Sequence, residues 1–580
     1  MAQERRIGVF VCYCGGNISD YVDVEKVRDG VAGEPGVVVA RTHMFTCSDA
    51  AQLEMIDDIE SLELDGLVVA SCAPSLHMHT FRGMAERAGL NPYQYVHVNL
   101  REQCSWAHTD DKNGATEKAI HLVRAGIAKV ALTHALEPLR VETKPRVLVI
   151  GAGVAGMRAS LSLADMGLAV YLIDKEEKIG GWALEAGRMG PEGQLGPDVI
   201  AGLSQRIQAN DRIVVYTQAE LVEKAGSIGD FNVIIKVKGE QDITLNVGAI
   251  VVTTGFTPYT PAEGEYGWGA DGVVDLLQFR QMLAEGKLEY HGKPLRDVVF
   301  IYCVGSRQTA SESCPTPHRY CSRYCCTAAT YTAVMLHELE TERKQTVNQY
   351  HLYRDIRTYG NFETVYEEAR HGGALFIRWE PENPPEVEKA DGRLSVKVQD
   401  TLDGGEEIEI GADLVVLVTG MEPRENSLLD DVLKLPKSED GFYKEIHPKL
   451  RPVETVIDGV FIAGAAQSPK TMSESVASAL SAVAKTGGLL KKGYVDLEPL
   501  IAHVDIEKCV WCGECLKACP YSAIEKVICG DKEVATVIAS LCKGAGPCVP
   551  VCPKDAIAVE GYRDDQILAM IDASLKEVVA

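Results

Sequence analysis

Short, largely apolar runs recur along the chain, many of them followed by a stretch with helical spacing. Four of them open it, at residues 7–11, 37–40, 67–70 and 95–98, with helical stretches such as 21–32 and 48–62 between them. Runs without polar alternation predict strands buried on both faces, and strands alternating with helices predict a parallel sheet. Residues 115–138 predict a linking helix. The pattern resumes with strands at 147–150, 169–173, 212–216, 231–237, 248–253, 298–302 and 414–419. It ends with a strand inside Gly459–Gly464 and a helix over 473–485. The fold class expected is α/β.

Composition narrows this picture. With 580 residues the chain has room for about three to five domains. A net charge of −25, from 83 acidic and 58 basic residues, argues against nucleic acid or an anionic membrane as partner. No apolar run approaches the ~18 residues of a spanning helix, and the N-terminus passes directly into a strand. The chain therefore reads as cytoplasmic, without direct membrane insertion. Its 18 cysteines, in a reducing compartment, point to metal or redox chemistry rather than disulfides.

The run 147–150 leads into Gly151-Ala152-Gly153-Val154-Ala155-Gly156, then a helix, then a strand closing on Asp174. This is a dinucleotide-binding βαβ unit in full context. Gly151 permits the tight turn, Gly153 lets the backbone approach a pyrophosphate, Gly156 allows helix and strand to pack closely, and Asp174 can accept a ribose hydroxyl. Lys175 and the pair Gly180-Gly181 resemble the FAD variant of the motif and favour flavin over NAD. The strand-to-glycine crossings at Gly255 and Gly420 resemble those of two-dinucleotide-binding flavoproteins, and the signature ending at Gly464 resembles their third flavin motif. In those proteins an acid follows the last glycine, where this chain has Ala465. The next helix can still point free N–H groups at a flavin ring. Lys470, just before that helix, is either placed to favour an anionic flavin or a solvated surface lysine.

Cysteines mark the ends of the predicted strands. Cys12 and Cys14, Cys47, Cys72 and Cys104 follow the first four, and in a parallel sheet those ends share one edge. Several thiolates at one edge suit an iron–sulfur cluster or zinc. Cys12, Cys47, Cys72 and Cys104 are the expected ligands, since Cys12 and Cys14 need not both serve. His77 and His79 fit ordinary polar roles. After the strand at 298–302 a nicotinamide-binding fold would carry GxGxxG, but here the loop reads Cys303-Val304-Gly305-Ser306-Arg307. Cys303, Cys314, Cys321, Cys325 and Cys326 follow instead, which argues against direct NAD(P)H binding and for a cluster beside the flavin.

Near the C-terminus, Cys509, Cys512, Cys515 and Cys519-Pro520 form C-x2-C-x2-C-x3-C-P, the bacterial ferredoxin run, in which three ligands serve one cluster and the fourth the other. The second run has Cys542, Cys548 and Cys552-Pro553, with Ala545 where a cysteine would stand. Cluster one is expected on Cys509, Cys512, Cys515 and Cys552. Cluster two keeps Cys519, Cys542 and Cys548. That leaves three outcomes open: a three-iron cluster, a four-iron cluster with another ligand (Cys529 is conceivable, though it reads better as a small buried thiol), or none.

The stretches VCYCGGNI, SCAP…TFR, NLREQCSW, YCVGSR…YCSRYCC and AGAAQSPK together resemble the A subunit of heterodisulfide reductase over nearly the whole chain. The resemblance implies FAD in a thioredoxin-reductase-like core and a 4Fe–4S cluster on Cys303, Cys321, Cys325 and Cys326, with Cys314 extra. It also implies a flavin able to bifurcate electron pairs between a high- and a low-potential path. Partners implied are other subunits of a multi-subunit redox complex: ones like the B and C subunits of heterodisulfide reductase, a hydrogenase- or dehydrogenase-linked small iron–sulfur subunit, and ferredoxin. Homodimerisation stays open. Longer members insert a further ferredoxin module after the strand matching 231–237, whereas this chain passes to Gly239-Glu240-Gln241 without a cysteine.

The organisation expected is an N-terminal α/β domain at 1–145, an FAD domain at 146–295 and 409–490, a degenerate NAD-binding-like domain at 296–408, and a ferredoxin-like α+β module at 491–580. The chain reads as an oxidoreductase subunit with one FAD and about three or four 4Fe–4S clusters, its redox chemistry carried by cofactors rather than by catalytic side chains. One alternative is a linear electron carrier feeding a quinone-linked or acyl-CoA reductase. Another, an NAD(P)H-dependent disulfide reductase, needs a GxGxxG near residue 303 and a redox CxxC beside the flavin, and has neither.

Overall fold

The apolar run that opens the chain becomes β1 (Ile7–Cys12), every residue of which is buried. The structure is a computed structural model describing residues 5–189, 193–310, 316–390, 393–402 and 404–575. The chain divides into two compact units, one of residues 1–141 and 496–580, the other of residues 142–495.

In the first unit, β1, β2 (Val37–His43), β3 (Gly66–Ser71) and β4 (Tyr95–Asn99) form a parallel sheet in the order β2-β1-β3-β4. Helices cover both faces, as fully apolar strands require. On one side Val24, Val27 and Val31 of α1 (Val24–Val31) share a core with Ala119, Ile120 and Val123. On the other side Met55 of α2 (Asp49–Ser61) and Phe81 of α3 (Pro74–Arg87) fill the space. Side-chain oxygens of Asp23 and Ser48 cap α1 and α2 by accepting free backbone N–H groups, which sets where each helix begins. The linking helix α4 spans Lys112–Ala131 rather than 115–138. Pro138 disfavours helical geometry at Glu137, and Leu139–Glu142 is extended.

The second unit holds two parallel sheets. The first comprises β5 (Arg146–Ile150), β6 (Ala169–Ile173), β7 (Ile213–Tyr216), β8 (Ala249–Val252) and a strand at Val460–Ile462, in the order β7-β6-β5-β8 and then the late strand. Helix α5 (Val154–Asp165) connects β5 to β6. Between β8 and the late strand the chain builds the second sheet from β9 (Val273–Asp275), β10 (Asp297–Val304), β11 (Asn348–Tyr353), β12 (Leu375–Arg378) and β13 (Leu414–Thr419), ordered β9-β13-β10-β11-β12. Helix α6 (Leu276–Ala284) follows β9, and α7 (Cys325–Arg343) lies between β10 and β11. The Val460–Ile462 strand is β14, and α8 (Met472–Lys491) packs against α5. One parallel sheet inserted into another is the arrangement expected of a thioredoxin-reductase-like core. The strand expected at 231–237 belongs instead to an antiparallel meander (Ala219–Ser227, Asp230–Val237, Ile243–Val247) whose last turn contains Gly239.

The chain then returns to the first unit with two antiparallel pairs, β15 (Ala502–Val504) with β18 (Ile557–Val559) and β16 (Ile524–Cys529) with β17 (Lys532–Val537). The last helix, α9 (Asp564–Ser574), packs along α4, where Arg563 and Gln566 donate to the Leu132 carbonyl at 3.1 and 3.2 Å.

Candidate functional site

The glycine loop after β5 is shaped by contacts that leave no room for side chains. Gly151 has φ +100°, and a Cβ there would stand 2.5 Å from the Thr253 carbonyl oxygen. A Cβ on Gly156 would stand 1.8 Å from the Gly151 oxygen and 2.6 Å from Thr253 Oγ1. Gly153 precedes the first turn of α5 and has open space where its Cβ would be, so a ligand can approach the backbone there. The Asp174 carboxylate accepts from Ala152 N–H at 2.6 Å and Glu176 N–H at 2.9 Å, which holds the loop against β6. A carboxylate has about four lone-pair sites, so capacity for a hydroxyl remains.

A cavity of about 510 Å³ runs from this loop past Gly181, Gly255 and Ala465 to Lys470. Beside it lies a smaller cavity of about 150 Å³ bordered by Asp174, Lys175, Glu220 and Arg424. Gly420 and Gly464 do not border the larger cavity; they permit close packing. A Cβ on Gly420 would stand 2.6 Å from Ser322 Oγ, and one on Gly464, at φ +70°, would stand 2.9 Å from Ala155 Cβ. Lys470 donates to Ser468 Oγ at 2.7 Å and Gln467 Oε1 at 3.3 Å, and burial lowers its pKa to about 8. It therefore borders the cavity rather than standing in open solvent. Thr471 and Glu474 cap α8 reciprocally. Arg280 of α6 is a further candidate: its side chain is buried, borders the cavity, donates to the Arg188 carbonyl and has no partner for Nε among the described residues. Burial lowers its pKa to about 10. A single arginine in an apolar helix carries no signal of that kind.

At the end of β10 the backbone turns through positive φ at Cys303 (+64°), Gly305 (+72°) and Arg307 (+54°). Gly305 is not an open phosphate cradle, because a Cβ there would stand 2.0 Å from the Tyr259 ring. Cys303, Cys321, Cys325 and Cys326 converge here. Burial, and next the charge of Cys326, raises Cys303 to about 11. Cys325 donates to Cys326, which raises the first well above its usual value and lowers the second. Arg307 points at Cys303 Sγ (4.0 Å), and Arg323 N–H donates to Cys321 Sγ (3.3 Å). The Arg323 guanidinium pairs with Glu474, which also accepts from Tyr359 Oη at 2.9 Å. This joins the cysteine loop to the first turn of α8. Cys314 lies outside the described residues.

At the sheet edge of the first unit, Cys12 Sγ accepts from the backbone N–H groups of Cys14 (3.2 Å) and Thr46 (3.4 Å). Burial first, and then the charges of Cys12 and Cys14, raise Cys47. Burial raises Cys72 to about 11, with Cys14 and Cys12 again among its neighbours. Cys14 also accepts from Arg101 at 3.7 Å. His97 lies within 2.7 Å of the Cys72 carbonyl and holds the turn that carries it. Cys104 departs from the expectation. It sits in the π-helical turn Arg101–Ser105 with no exposure, and among the described residues the charge acting on its thiol is that of Lys118 rather than of another cysteine. The turn winds it into the core, whereas Cys14 stands with Cys12, Cys47 and Cys72. His77, its pKa lowered by burial, pairs with Thr80 at 3.4 Å.

In the ferredoxin module a small cavity is bordered by Cys509, Cys512, Cys515 and Cys552, the set expected for cluster one. Cys548 is raised by burial and then by Cys542 and Cys519, the remaining three cysteines being near one another. Cys529 ends β16, exposed, on a hairpin whose Lys532 donates to the carbonyls of Ile506 and Glu507, just before Cys509. It is therefore at the first cluster's end and is no substitute for residue 545. Among the described residues, no three Cys, His, Asp or Glu side chains are drawn together as ligands of one metal ion. The ligands of a cubane each bind a different iron and stand farther apart.

Residues 146–226 match the family model described as FAD dependent oxidoreductase, and 502–559 match the 4Fe-4S dicluster domain. In Methanopyrus kandleri, the second iron-sulfur A subunit of CoB–CoM heterodisulfide reductase is 36% identical over 615 residues, covering 90% of this chain and 92% of its own length. The A subunit of the H2:CoB-CoM heterodisulfide,ferredoxin reductase of Methanothermobacter thermautotrophicus is 36% identical over 662 residues, covering 99% of this chain and 98% of its own length. The chain belongs to the family of heterodisulfide reductase A subunits. It is accordingly an oxidoreductase subunit with FAD and 4Fe–4S electron-transfer modules. The second alignment spans 662 positions against 580 residues here, so that relative carries stretches this member of the family lacks. Among solved structures, the thioredoxin reductase of T. acidophilum covers 60% of the chain and 99% of its own length at 19% identity, with a TM-score of 0.41. No helix of the described residues is long and apolar enough to cross a membrane.

Proposed function

We propose that this protein passes electrons between a bound FAD and iron–sulfur clusters within a heterodisulfide-reductase-like complex, with no nicotinamide docking on the chain. The observation that carries the proposal is the convergence of Cys303, Cys321, Cys325 and Cys326 at the end of β10, where Tyr259 covers Gly305. Gly151, Gly153, Gly156, Asp174, Lys175 and Gly181 hold the nucleotide half of the flavin, and Lys470 faces its ring. A 4Fe–4S cluster rests on the four cysteines after β10, another on Cys509, Cys512, Cys515 and Cys552, and a third on Cys12, Cys14, Cys47 and Cys72. FAD supplies the ability to exchange electrons in pairs or singly. Partner subunits of the B and C type, ferredoxin and a small iron–sulfur protein supply and remove them.

The finer reading is bifurcation: one flavin drained by two routes of different potential. An anaerobically prepared complex should then reduce ferredoxin only while a second, higher-potential acceptor turns over. Ferredoxin reduction without that acceptor leaves a linear carrier, and tight NADH binding by the isolated chain removes the reading altogether.

Two substitutions test the assignments. Lys470→Met should leave FAD bound but remove a cation facing the charge the ring acquires on reduction. A charged hydrogen bond worth ~1.5–3 kcal/mol corresponds to a two-electron potential lower by about 30–60 mV, measured by redox titration of the flavin absorbance. For the sheet-edge cluster, Cys72→Ala should lower iron per chain by one cluster. Cys104→Ala should keep the iron, because its thiol is a core side chain.

A further inference from the structure

We propose that the second half of the ferredoxin module binds a three-iron (3Fe–4S) cluster on Cys519, Cys542 and Cys548, the position of the fourth ligand being the exposed methyl of Ala545. This rests on the reading of the module as a cluster carrier and goes beyond it, since the matched domain is described as holding two 4Fe–4S clusters.

The module is an internal duplication at a constant offset, which pairs Cys509 with Cys542, Cys512 with Ala545, Cys515 with Cys548 and Cys519 with Cys552. The surroundings repeat with the ligands. Ala535 N–H donates to Cys509 Sγ at 3.3 Å, and its counterpart Ala502 N–H donates to Cys542 Sγ at 3.4 Å. Ala556 N–H donates to Cys552 Sγ at 3.3 Å, and Ala523 N–H to Cys519 Sγ at 3.4 Å. The loops also share their left-handed residues: Trp511 (φ +47°) with Gly544 (+64°), Gly513 (+79°) with Gly546 (+81°), and Ser522 (+52°) with Asp555 (+47°). Cys515 and Cys548 are both buried, and Cys512 and Ala545 are both exposed.

The second loop therefore keeps the backbone that wraps a cubane and lacks one thiolate. Each corner iron of a four-iron cluster needs a terminal ligand; a methyl group cannot be one, so a fourth iron here would rest on exchangeable solvent alone and be held more weakly than the other three. Cys529 stands at the other cluster's end. Three thiolates hold three irons, and the corner that would carry the fourth faces solvent. Cluster type is one determinant of potential, so the two halves hold centres of different potential on nearly identical backbones.

The test is EPR of the full-length chain, isolated anaerobically and compared with A545C and C548A. The expected result is an oxidised three-iron signal stoichiometric with the chain. In A545C that signal should disappear and be replaced by a second four-iron cluster, paramagnetic only when reduced. In C548A it should be lost while the cluster on Cys509, Cys512, Cys515 and Cys552 persists. The proposal is overturned if the wild type shows no such signal while that first cluster is present, or if the signal survives in A545C. It is equally overturned if ferrous iron under reducing conditions converts the wild-type centre to a four-iron cluster. A module without iron in either half overturns the carrier reading along with it.

Discussion

Gly156→Ala is expected to yield a chain that folds its first unit and emerges without FAD. The added methyl would stand 1.8 Å from the Gly151 carbonyl oxygen and 2.6 Å from Thr253 Oγ1. Neither can retreat. Thr253 Oγ1 donates to the carbonyls of both Ile150 (2.9 Å) and Gly151 (2.8 Å), and β5 is pinned between β6 and β8. The start of α5 must therefore lift from the sheet, at an overpacking cost of ~1–3 kcal/mol or more, and the loop's N–H groups move with it. Flavin absorbance per chain and the thermal midpoint of the second unit measure the two consequences. Gly153→Ala is the control: its methyl meets nothing within 4 Å, so stability should hold while FAD affinity falls. A Gly156→Ala chain with full flavin content and an unchanged midpoint would mean that this loop does not bind the cofactor.

The strands were legible in the sequence where burial on both faces leaves no polar alternation; β6 and β13 run over the residues expected of them. The helix after residue 112 is shorter than its apolar pattern predicts: Pro138 bars only the last residues of the expected span, and the earlier end, where Thr133 N–H and Oγ1 both donate to the Val130 carbonyl, leaves no trace in the periodicity. That Cys552 borders one cavity with Cys509, Cys512 and Cys515 is legible from the crossing rule that the ferredoxin spacing carries within it. Cys104 could not, because position after a strand says which edge a residue is near but not how a π-helical turn rotates its side chain. Tyr259 over Gly305 and the Arg323–Glu474 pair were equally out of reach: each joins segments remote in sequence, and only the folded sheets bring them together.

Cys303→Ala should separate the flavin from its electron supply while leaving the flavin in place. Cys303 does not border the flavin cavity, and alanine accepts its half-buried position at the end of β10 with little change in volume, so FAD content should match the wild type. What is lost is one of four converging thiols, and with it one of the cluster ligands proposed above, beside Cys321, Cys325 and Cys326. The adjacent pair Cys325 and Cys326 is left near Arg307, which points at the Sγ position of residue 303, with one sulfur fewer. Iron per chain should fall by one cluster. Flavin reduction by reduced ferredoxin, followed by stopped-flow absorbance under anaerobic conditions, should drop to the rate seen without ferredoxin, while dithionite still bleaches the flavin directly. NADH should restore nothing, because Tyr259 fills the space over Gly305 that a nucleotide loop keeps open. Ferredoxin-driven reduction at the wild-type rate in this variant would mean that electrons reach the ring without passing the cysteines after β10.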